Sequence, residues 1–336
     1  MPLFALATLL PVPLIAAGAL WGGLWAVAAL ASMTLLIAGV DLLAARAAPH
    51  QPDDDGFPAG TALAVTLGIA HFALLGLLVA RLGDAGAASA LATYVAAGLY
   101  FGQVSNSNAH ELIHRTTRAL RRLGVAIYVS LLFGHHASAH PLVHHRFVAT
   151  ARDPNSARLG EGFWRYAHRA WTGSFRAGLA AERERLARAG RPRRENPYLV
   201  YLGGAAATLV AAALLGGPRG ALVLLSLAAF AQLQLLLSDY VQHYGLRRPL
   251  RPDGRPEPVA PGHSWNSPHP ASSALMLNAP RHSDHHAAPS RAYPGLRLPP
   301  SAPMLPRSLP VMACLALWPR AWRRVMDPRV RALAGE

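Results

Sequence analysis

Long apolar runs separated by short polar stretches dominate the sequence. Residues 1–46 contain a single acidic side chain, Asp41. A helix needs about 20 residues to cross a bilayer, so this stretch is long enough for two membrane helices. The break between them is expected near Trp21-Gly22-Gly23. Further apolar runs occupy 61–80, 87–102, 198–215 and 221–237. The pattern therefore predicts six membrane spans, the last two of which form a hairpin around Gly216-Gly217-Pro218.

The remaining segments predict a polar body outside the bilayer. The apolar segment 123–133 is too short to cross as a helix and is expected to be re-entrant or packed at the interface. We predict an all-α integral membrane protein of about six transmembrane helices with a cytosolic His-rich cap that holds a dimetal site. Its single domain, 1–336, divides into four parts: four spans and a short interfacial helix (1–137), a cytosolic His/Arg-rich region (138–196), two spans (197–245) and a cytosolic C-terminal cap (246–336).

Charge composition supports this reading and orients the chain. Charged residues make up 15% of the sequence, against about 25% in an average soluble domain, and the net charge is +15. Arginines cluster between the fourth and fifth spans and after the sixth, whereas the connections near Trp21, Gly83 and Gly217 hold almost none. We therefore predict a multi-pass protein of the bacterial inner membrane with both termini in the cytoplasm. The basic surface is expected to face membrane lipid, and no nucleic acid is expected to bind.

The candidate chemistry lies in the histidines. A single cysteine excludes an intramolecular disulfide, a Cys-based zinc site and a thiolate-bound iron–sulfur cluster within this chain. Among 16 histidines, nine fall into four groups near the predicted cytosolic face. These are His110 and His114; His140, His144 and His145; His243; and His282, His285 and His286. On a helix, residues three and four apart share a face, and nine imidazoles are too many for one zinc. The set suits two metals with open positions, and imidazole ligation is compatible with iron, copper, zinc or nickel.

Other polar residues are expected to support this site or the packing around it. The four acids nearest the histidines are expected to accept the second ring N–H of a ligand: Glu111, Asp153, Asp239 and Asp284. Five histidines are expected to be structural, supporting or interfacial: His135, His136, His168, His263 and His269. His71 lies inside the third apolar run, where an ionisable residue is a functional hypothesis by default, although a bundle-facing structural role is favoured. Asp41 is expected to cap a helix or pair with Arg46.

The motifs resemble those of the membrane alkane 1-monooxygenases, within the membrane fatty acid desaturase/hydroxylase group. The matching stretches are Asn108-Ala-His-Glu-Leu-Ile-His-Arg115, His144-His145-Arg-Phe-Val-Ala-Thr150, Asp153-Pro154, Gly160-Glu161, His243-Tyr-Gly-Leu246, His263-Ser-Trp-Asn-Ser267, Arg281-His-Ser-Asp-His-His286 and Val325-Met-Asp-Pro328. The resemblance implies two non-haem iron ions bound by the nine histidines, with O2 as co-substrate. It also implies terminal hydroxylation of an alkyl substrate, with electrons from a separate rubredoxin-type donor and its NADH-dependent reductase. No catalytic residue beyond the metal ligands is expected.

This chain departs from the family pattern next to the histidines. Ala139 and Gln242 stand where the family usually has Glu, Val143 where it has Gly, and Ile113 where Gly is common. None of these changes removes a predicted ligand. Two other functions on the same metal scaffold remain open: a fatty acyl desaturase or hydroxylase, and an aromatic-methyl monooxygenase of the xylene type. A third, an intramembrane zinc protease, would use His110-Glu111-Leu-Ile-His114 alone.

Overall fold

The structure is a computed structural model that describes residues 1–44 and 57–335. In this part of the chain the secondary structure is helical, without β-strands. The helices are α1 (Pro2–Leu9), α2 (Pro11–Trp21), α3 (Gly23–Met33), α4 (Leu35–Leu43), α5 (Pro58–Arg81), α6 (Ala87–Tyr100), α7 (Asn106–Ile113), α8 (Arg118–Ser130), α9 (His136–Ala139), α10 (His145–Phe147), α11 (Phe163–Arg188), α12 (Tyr198–His243), α13 (Pro270–Leu275), α14 (His282–Ala287), α15 (Leu309–Ala316) and α16 (Pro319–Ala334). Two π-helical turns, Phe101–Ser105 and His140–His144, join α6 to α7 and α9 to α10.

Four helical stretches in the described part are long and apolar enough to cross a bilayer. They are Pro2–Trp21, Gly23–Leu43, Pro58–Arg81 and Tyr198–His243. Helix α6 has only 14 residues, but it continues through its π-turn into α7. The predicted class, an all-α membrane protein, is confirmed. The number of spans stays a prediction.

Helix α12 reverses direction at its middle. Gly217 adopts φ 63° and ψ −158°, a conformation that interrupts the helix, and Pro218 follows it. A Cβ at Gly220 would lie 2.6 Å from the carbonyl oxygen of Ala212, a separation that a straight helix cannot give to residues eight apart. The 46 residues of α12 therefore form the hairpin that the sequence predicts.

The short turns between spans lie together on one side of the bundle. The Gly23 N–H donates to Ser89 Oγ at 2.9 Å, which joins the α2–α3 turn to the start of α6. Arg219, just after the α12 turn, donates to Asp84 in the α5–α6 loop at 2.9 Å. Since α6 begins here and runs through α7 to His110, the histidines lie at the opposite side.

The bundle is apolar on both its inner and outer surfaces. Phe101, Leu224 and Leu227 are buried between helices, whereas Leu24 and Leu43 are 86% and 90% exposed. Exposed apolar surface of this extent is expected where lipid rather than water is the solvent. Helices also approach closely: a Cβ at Gly98 of α6 would lie 2.1 Å from Phe230 of α12, so that only glycine fits there.

The polar body packs around the second half of α12. Trp322 of α16 is fully buried against Tyr240 and Tyr244, with ring centroids 5.3 and 5.2 Å away. Asp41, at the end of α4, accepts the N–H of Ala271 and Ser272 and so caps the start of α13. This carboxylate joins the second predicted span to the C-terminal cap. Arg46, the other partner considered for Asp41, lies outside the described residues.

Candidate metal centre

The structure brings all nine predicted histidines together in two adjoining groups. The potential ligand atoms of each group lie within 4.8 Å of one another. The first group contains five of the histidines: His110, His114, His140, His145 and His285. The second contains the other four, all buried: His144, His243, His282 and His286. The two groups touch, since the rings of His145 and His286 have centroids 4.6 Å apart.

A π-helical turn determines which group each histidine of the His140, His144 and His145 motif joins. Residues His140–His144 follow i→i+5 hydrogen bonding, so residues five apart are nearly in line along this turn. The Nε2 atoms of His140 and His145 consequently lie 2.9 Å apart in the first group, and His144 belongs to the second. Ordinary helical spacing would instead have paired His140 with His144. The spacing of the histidines in the sequence therefore does not predict which group His144 joins.

The nitrogen positions match the spacing of ligands around a metal ion. The Nε2 atoms of His110 and His140 are 2.8 Å apart, and those of His243 and His282 are 2.9 Å apart. With metal–nitrogen bonds of about 2.1 Å, neighbouring ligand nitrogens lie about 3 Å apart. In each group one buried Nε2, that of His114 or of His144, has no hydrogen-bond partner among the described residues. Burying such atoms unpaired is costly, and a bound metal would satisfy them.

Two hydrogen bonds fix which ring nitrogen is free in the second group. His144 Nδ1–H donates to Asp153 Oδ2 at 2.8 Å, and His243 Nδ1–H donates to the carbonyl oxygen of His263 at 3.2 Å. Each bond leaves the Nε2 lone pair available to a metal, and such partners orient a ligand and raise its basicity. His144 and His243 therefore fit a metal in both position and tautomer, and His282 and His286 fit it in position.

Burial keeps most of these rings neutral, which is the form that binds metal. It lowers the pKa of His110, His140 and His145 well below the usual 6.5, and the neighbouring histidines lower these values further. The pKa of His114 falls to about 4 for the same reasons. Burial would raise the pKa of Asp153, but the adjacent His144 ring holds that value below its usual range, so the carboxylate stays ionised.

The four acids near the histidines have different partners. Asp153 alone of the four forms a hydrogen bond to a ring nitrogen of the two groups in the described structure. Asp239 accepts from Asn155 Nδ2 at 2.6 Å, and Asp284 binds Arg291 at 2.7 Å. Glu111 pairs with Arg115 and accepts the N–H of Tyr293. These three acids support the segments that carry the histidines rather than the rings themselves.

The five histidines expected to have structural, supporting or interfacial roles lie outside both groups. His135 contacts Ser174, His263 accepts the N–H of Ala260, and His269 contacts Ser267. His168 is exposed on α11. His136 is buried next to the first group, with its ring centroid 5.0 Å from that of His140.

His71 connects three helical segments inside the bundle. Its Nδ1 lies 2.9 Å from Ser105 Oγ, in the π-turn that precedes α7, and its Nε2 lies 2.8 Å from Ser130 Oγ at the end of α8. The ring is completely buried. Because α7 carries His110, this contact helps to fix the helix that presents the first group.

An apolar cavity leads from the bundle to both histidine groups. Its volume is about 580 Å³, within the usual range for small-molecule sites. Lining residues come from α3 and α4, the α6–α7 helix, the second half of α12 and α15. Met33, Leu99 and Phe230 form part of its wall, and so do His110 and His282, one from each histidine group.

Three amide side chains along this cavity are bonded to the protein itself. Gln234 Nε2 donates to the carbonyl oxygen of Gly98 at 2.7 Å, and Asn106 Nδ2 donates to that of Ala231 at 2.8 Å. Gln242 Nε2 donates to Ala279 at 3.0 Å. The cavity therefore presents a largely apolar surface to an occupant, with imidazoles at one end.

The structure is that of a helical membrane protein with a histidine-rich candidate metal centre. Comparison with known proteins identifies the family to which the chain belongs. A family model described as fatty acid desaturase matches residues 85–312, and the chain belongs to this family. It is 36% identical to an alkane 1-monooxygenase of Pseudomonas putida over 244 residues, which are 70% of this chain and 60% of that protein. The predicted resemblance to the alkane 1-monooxygenase family is thus confirmed.

Two further relatives show the breadth of this similarity. Alkane 1-monooxygenase 1 of Alcanivorax borkumensis is 36% identical over 242 residues, covering 71% of this chain and 60% of that protein. The hydroxylase component of xylene/toluene monooxygenase from Pseudomonas putida is 28% identical over 228 residues, covering 66% of this chain and 60% of that protein. The chain thus spans about three fifths of the length of these relatives.

Replacing Asp153 tests how the second group is organised. Asp153→Asn keeps the size of the side chain but removes the charge that polarises His144. The metal affinity of the second histidine group should fall about 10- to 100-fold, as for other partners of metal-bound histidine. Metal retained per chain during dialysis against graded chelator measures this loss, with the exposed Asp253→Asn as the control. Equal retention in wild type and Asp153→Asn would contradict the assignment.

Proposed function

We propose that this chain is a di-iron, O2-dependent monooxygenase that hydroxylates the terminal methyl of an alkane or a similar alkyl chain. The observation that carries this proposal is the apolar cavity, whose lining includes histidines of both groups. The nine histidines would hold two iron ions, which would supply the activation of O2. The alkane 1-monooxygenases among its relatives support this choice of reaction.

The protein's own part in this reaction is positioning and exclusion of water. Leu99 and Phe230 would hold an alkyl chain by apolar contact, and the cavity would direct one end of it toward His110 and His282. An alkane offers no hydrogen bond, which agrees with lining amides that are already bonded to backbone carbonyls. An alkyl chain that fills this apolar cavity would exclude water from the reaction beside these histidines.

Two alternatives use the same scaffold. A fatty acyl desaturase or hydroxylase would need room for a carboxyl derivative at the cavity mouth, and an aromatic-methyl monooxygenase is suggested by the xylene/toluene relative. We favour the alkane reaction because the chain is 36% identical to an alkane 1-monooxygenase but only 28% identical to the xylene/toluene hydroxylase component. A zinc protease is disfavoured because His110 and His114 share their group with three more histidines.

The arrangement of turns and histidines supports the predicted topology. The turns at Gly22 and Gly217 lie on one side of the bundle, and the arginine-rich segments with the histidines lie on the other. We propose that the histidine side faces the cytoplasm of a bacterial inner membrane, with both termini there. The four-part domain division, with boundaries after 137, 196 and 245, belongs to the same proposal.

Product analysis tests the proposed reaction. Cells that produce the chain together with a rubredoxin and its reductase should convert octane to 1-octanol, identified by mass spectrometry. His144→Ala should abolish the product at matched protein level, whereas the exposed His168→Ala should retain it. Parallel feeding with palmitate and xylene distinguishes the alternatives. Products from these substrates, with none from octane, would contradict the proposal.

Electrons must arrive from another protein, and we propose a rubredoxin-type donor. The single cysteine cannot form the four-thiolate iron centre of such a carrier in this chain. An exposed basic site next to the first histidine group is a suitable docking point. Phe147 lies two residues after His145 in the sequence. Arg146 and Arg152 flank its ring, with guanidinium carbons 5.1 and 3.9 Å from the ring centroid. Arg291, by contrast, is held by Asp284 and has a structural role.

Charge reversal at the docking site should separate electron supply from metal binding. Arg152→Glu should slow turnover several-fold under limiting rubredoxin without loss of metal, because complementary charge chiefly raises the association rate. The wild-type rate should also fall as salt rises, since salt screens charges over about 8–10 Å. The control is Arg188→Glu, an exposed substitution in the last turn of α11. A rate that is independent of salt, and equal in both variants, would contradict electrostatic docking.

A further inference from the structure

A second cavity, of about 660 Å³, lies where α11 meets the start of α12. Its lining residues come from the second half of α11, the 191–196 connection and the first residues of α12. In the described structure it shares no lining residue with the apolar cavity that contains histidines of both groups in its wall. The proposed hydroxylation therefore makes no use of it.

One wall of this second cavity belongs to a candidate membrane span. Leu199 and Leu202, in the first turns of α12, line the cavity and are 58% and 56% exposed. They lie at the start of the candidate span Tyr198–His243, where exposed apolar side chains meet lipid. Tyr198, also in the lining, is buried, and its hydroxyl donates to the carbonyl oxygen of Phe175 at 2.9 Å, which joins α12 to α11. This wall is therefore apolar and accessible to the acyl chains of a bilayer.

Two exposed arginines without a countercharge line the same cavity. Arg183 lies in the last turns of α11, and Arg193 lies in the connection to α12. Neither forms an ion pair among the described residues. The neighbouring acids are each paired with another arginine: Glu182 with Arg185, Glu184 with Arg188, and Glu195 with Arg191. Glu184 also lines the cavity, but its pairing with Arg188 leaves the two unpaired arginines to attract an anion.

The combination of charge and apolar surface restricts the occupant. Inorganic phosphate would contact the arginines but leave Leu199 and Leu202 uncovered. A zwitterionic phospholipid would bring an ammonium group close to Arg183 and Arg193. An anionic phospholipid has no such group, and guanidinium groups bind its phosphate oxygens well. Basic pockets beside membrane helices on the cytoplasmic side are typical sites for such headgroups.

We propose that this cavity binds an anionic phospholipid of the cytoplasmic leaflet, such as phosphatidylglycerol. Arg183 and Arg193 bind its phosphate, and an acyl chain lies along Leu199 and Leu202. The bound lipid thereby connects α11 to the start of α12. The inference uses the proposed topology only to name the leaflet, and it does not depend on the proposed reaction.

Native mass spectrometry of the purified full chain, released from detergent micelles with graded dioleoylphosphatidylglycerol, tests the inference. Arg183→Gln and Arg193→Gln should each weaken binding of the first lipid about fivefold, and the double variant about 25-fold. Ala187→Trp fills the cavity without a change of charge and should also weaken binding. The matched control is Arg194→Gln, because Arg194 is exposed next to Arg193 and does not line the cavity. It should change the affinity by no more than about twofold, since its charge acts only at a screened distance.

Dioleoylphosphatidylcholine, with the same acyl chains, distinguishes headgroup recognition from apolar contact. Wild type should bind it more weakly than phosphatidylglycerol, and the arginine substitutions should not change its affinity. Equal affinity of wild type for the two lipids would overturn the inference. Equal losses in Arg193→Gln and Arg194→Gln would also overturn it, because the effect would then be one of overall surface charge.

Two further outcomes identify a different occupant. If inorganic phosphate displaces the bound lipid from wild type but not from Arg183→Gln, the arginines select a soluble anion and the inference fails. If Arg183→Gln and Arg193→Gln slow turnover under limiting rubredoxin while lipid affinity is unchanged, the surface binds an acidic protein and the inference also fails. Absence of octanol in cells would contradict the proposed reaction and leave the lipid measurement unaffected.

Discussion

The structure depends on the clustering of nine imidazoles, six of them buried, at one end of a helix bundle. Uncompensated polar groups are costly away from water, and here the costs accumulate over rings whose Nε2 atoms approach to about 3 Å. Bound metal would satisfy these ring nitrogens. It would also connect the four segments that carry them: α7, the His140–His145 segment, the end of α12, and α14. Other contacts support this arrangement. Asp153 orients the ring of His144, and the carbonyl of His263 orients that of His243. The Asp284–Arg291 pair anchors α14, which carries three more of the histidines.

The same bundle connects that polar end to an apolar interior. Glycines such as Gly98 let α6 and α12 approach closely, and the amide of Gln234 is bonded to the backbone of α6. The π-turn at Phe101–Ser105, held by His71, carries the α6 helix on to His110. Membrane-facing packing and metal-site geometry are therefore properties of the same helices.

Much of this architecture could be predicted from the sequence, because hydrophobic runs and histidine spacing are local signals. The hairpin at Gly217 and the nine clustered histidines are examples. Other features depend on contacts that spacing does not encode. The π-turn at His140–His144 changes which rings are neighbours, so the division into five and four histidines could not be predicted from α-helical spacing. Asp41 capping α13 joins residues about 230 positions apart. Glu111, Asp239 and Asp284 found partners other than the rings because arginine, asparagine and backbone donors lie nearer in the fold.

We propose that the two histidine groups are two metal centres. Elemental analysis of the purified chain, by inductively coupled plasma mass spectrometry with protein quantified by amino-acid analysis, tests it most directly. We expect two iron atoms per chain, and we expect His114→Ala and His144→Ala each to lose metal from a different group. One zinc per chain, lost in His114→Ala and retained in His144→Ala, would contradict it.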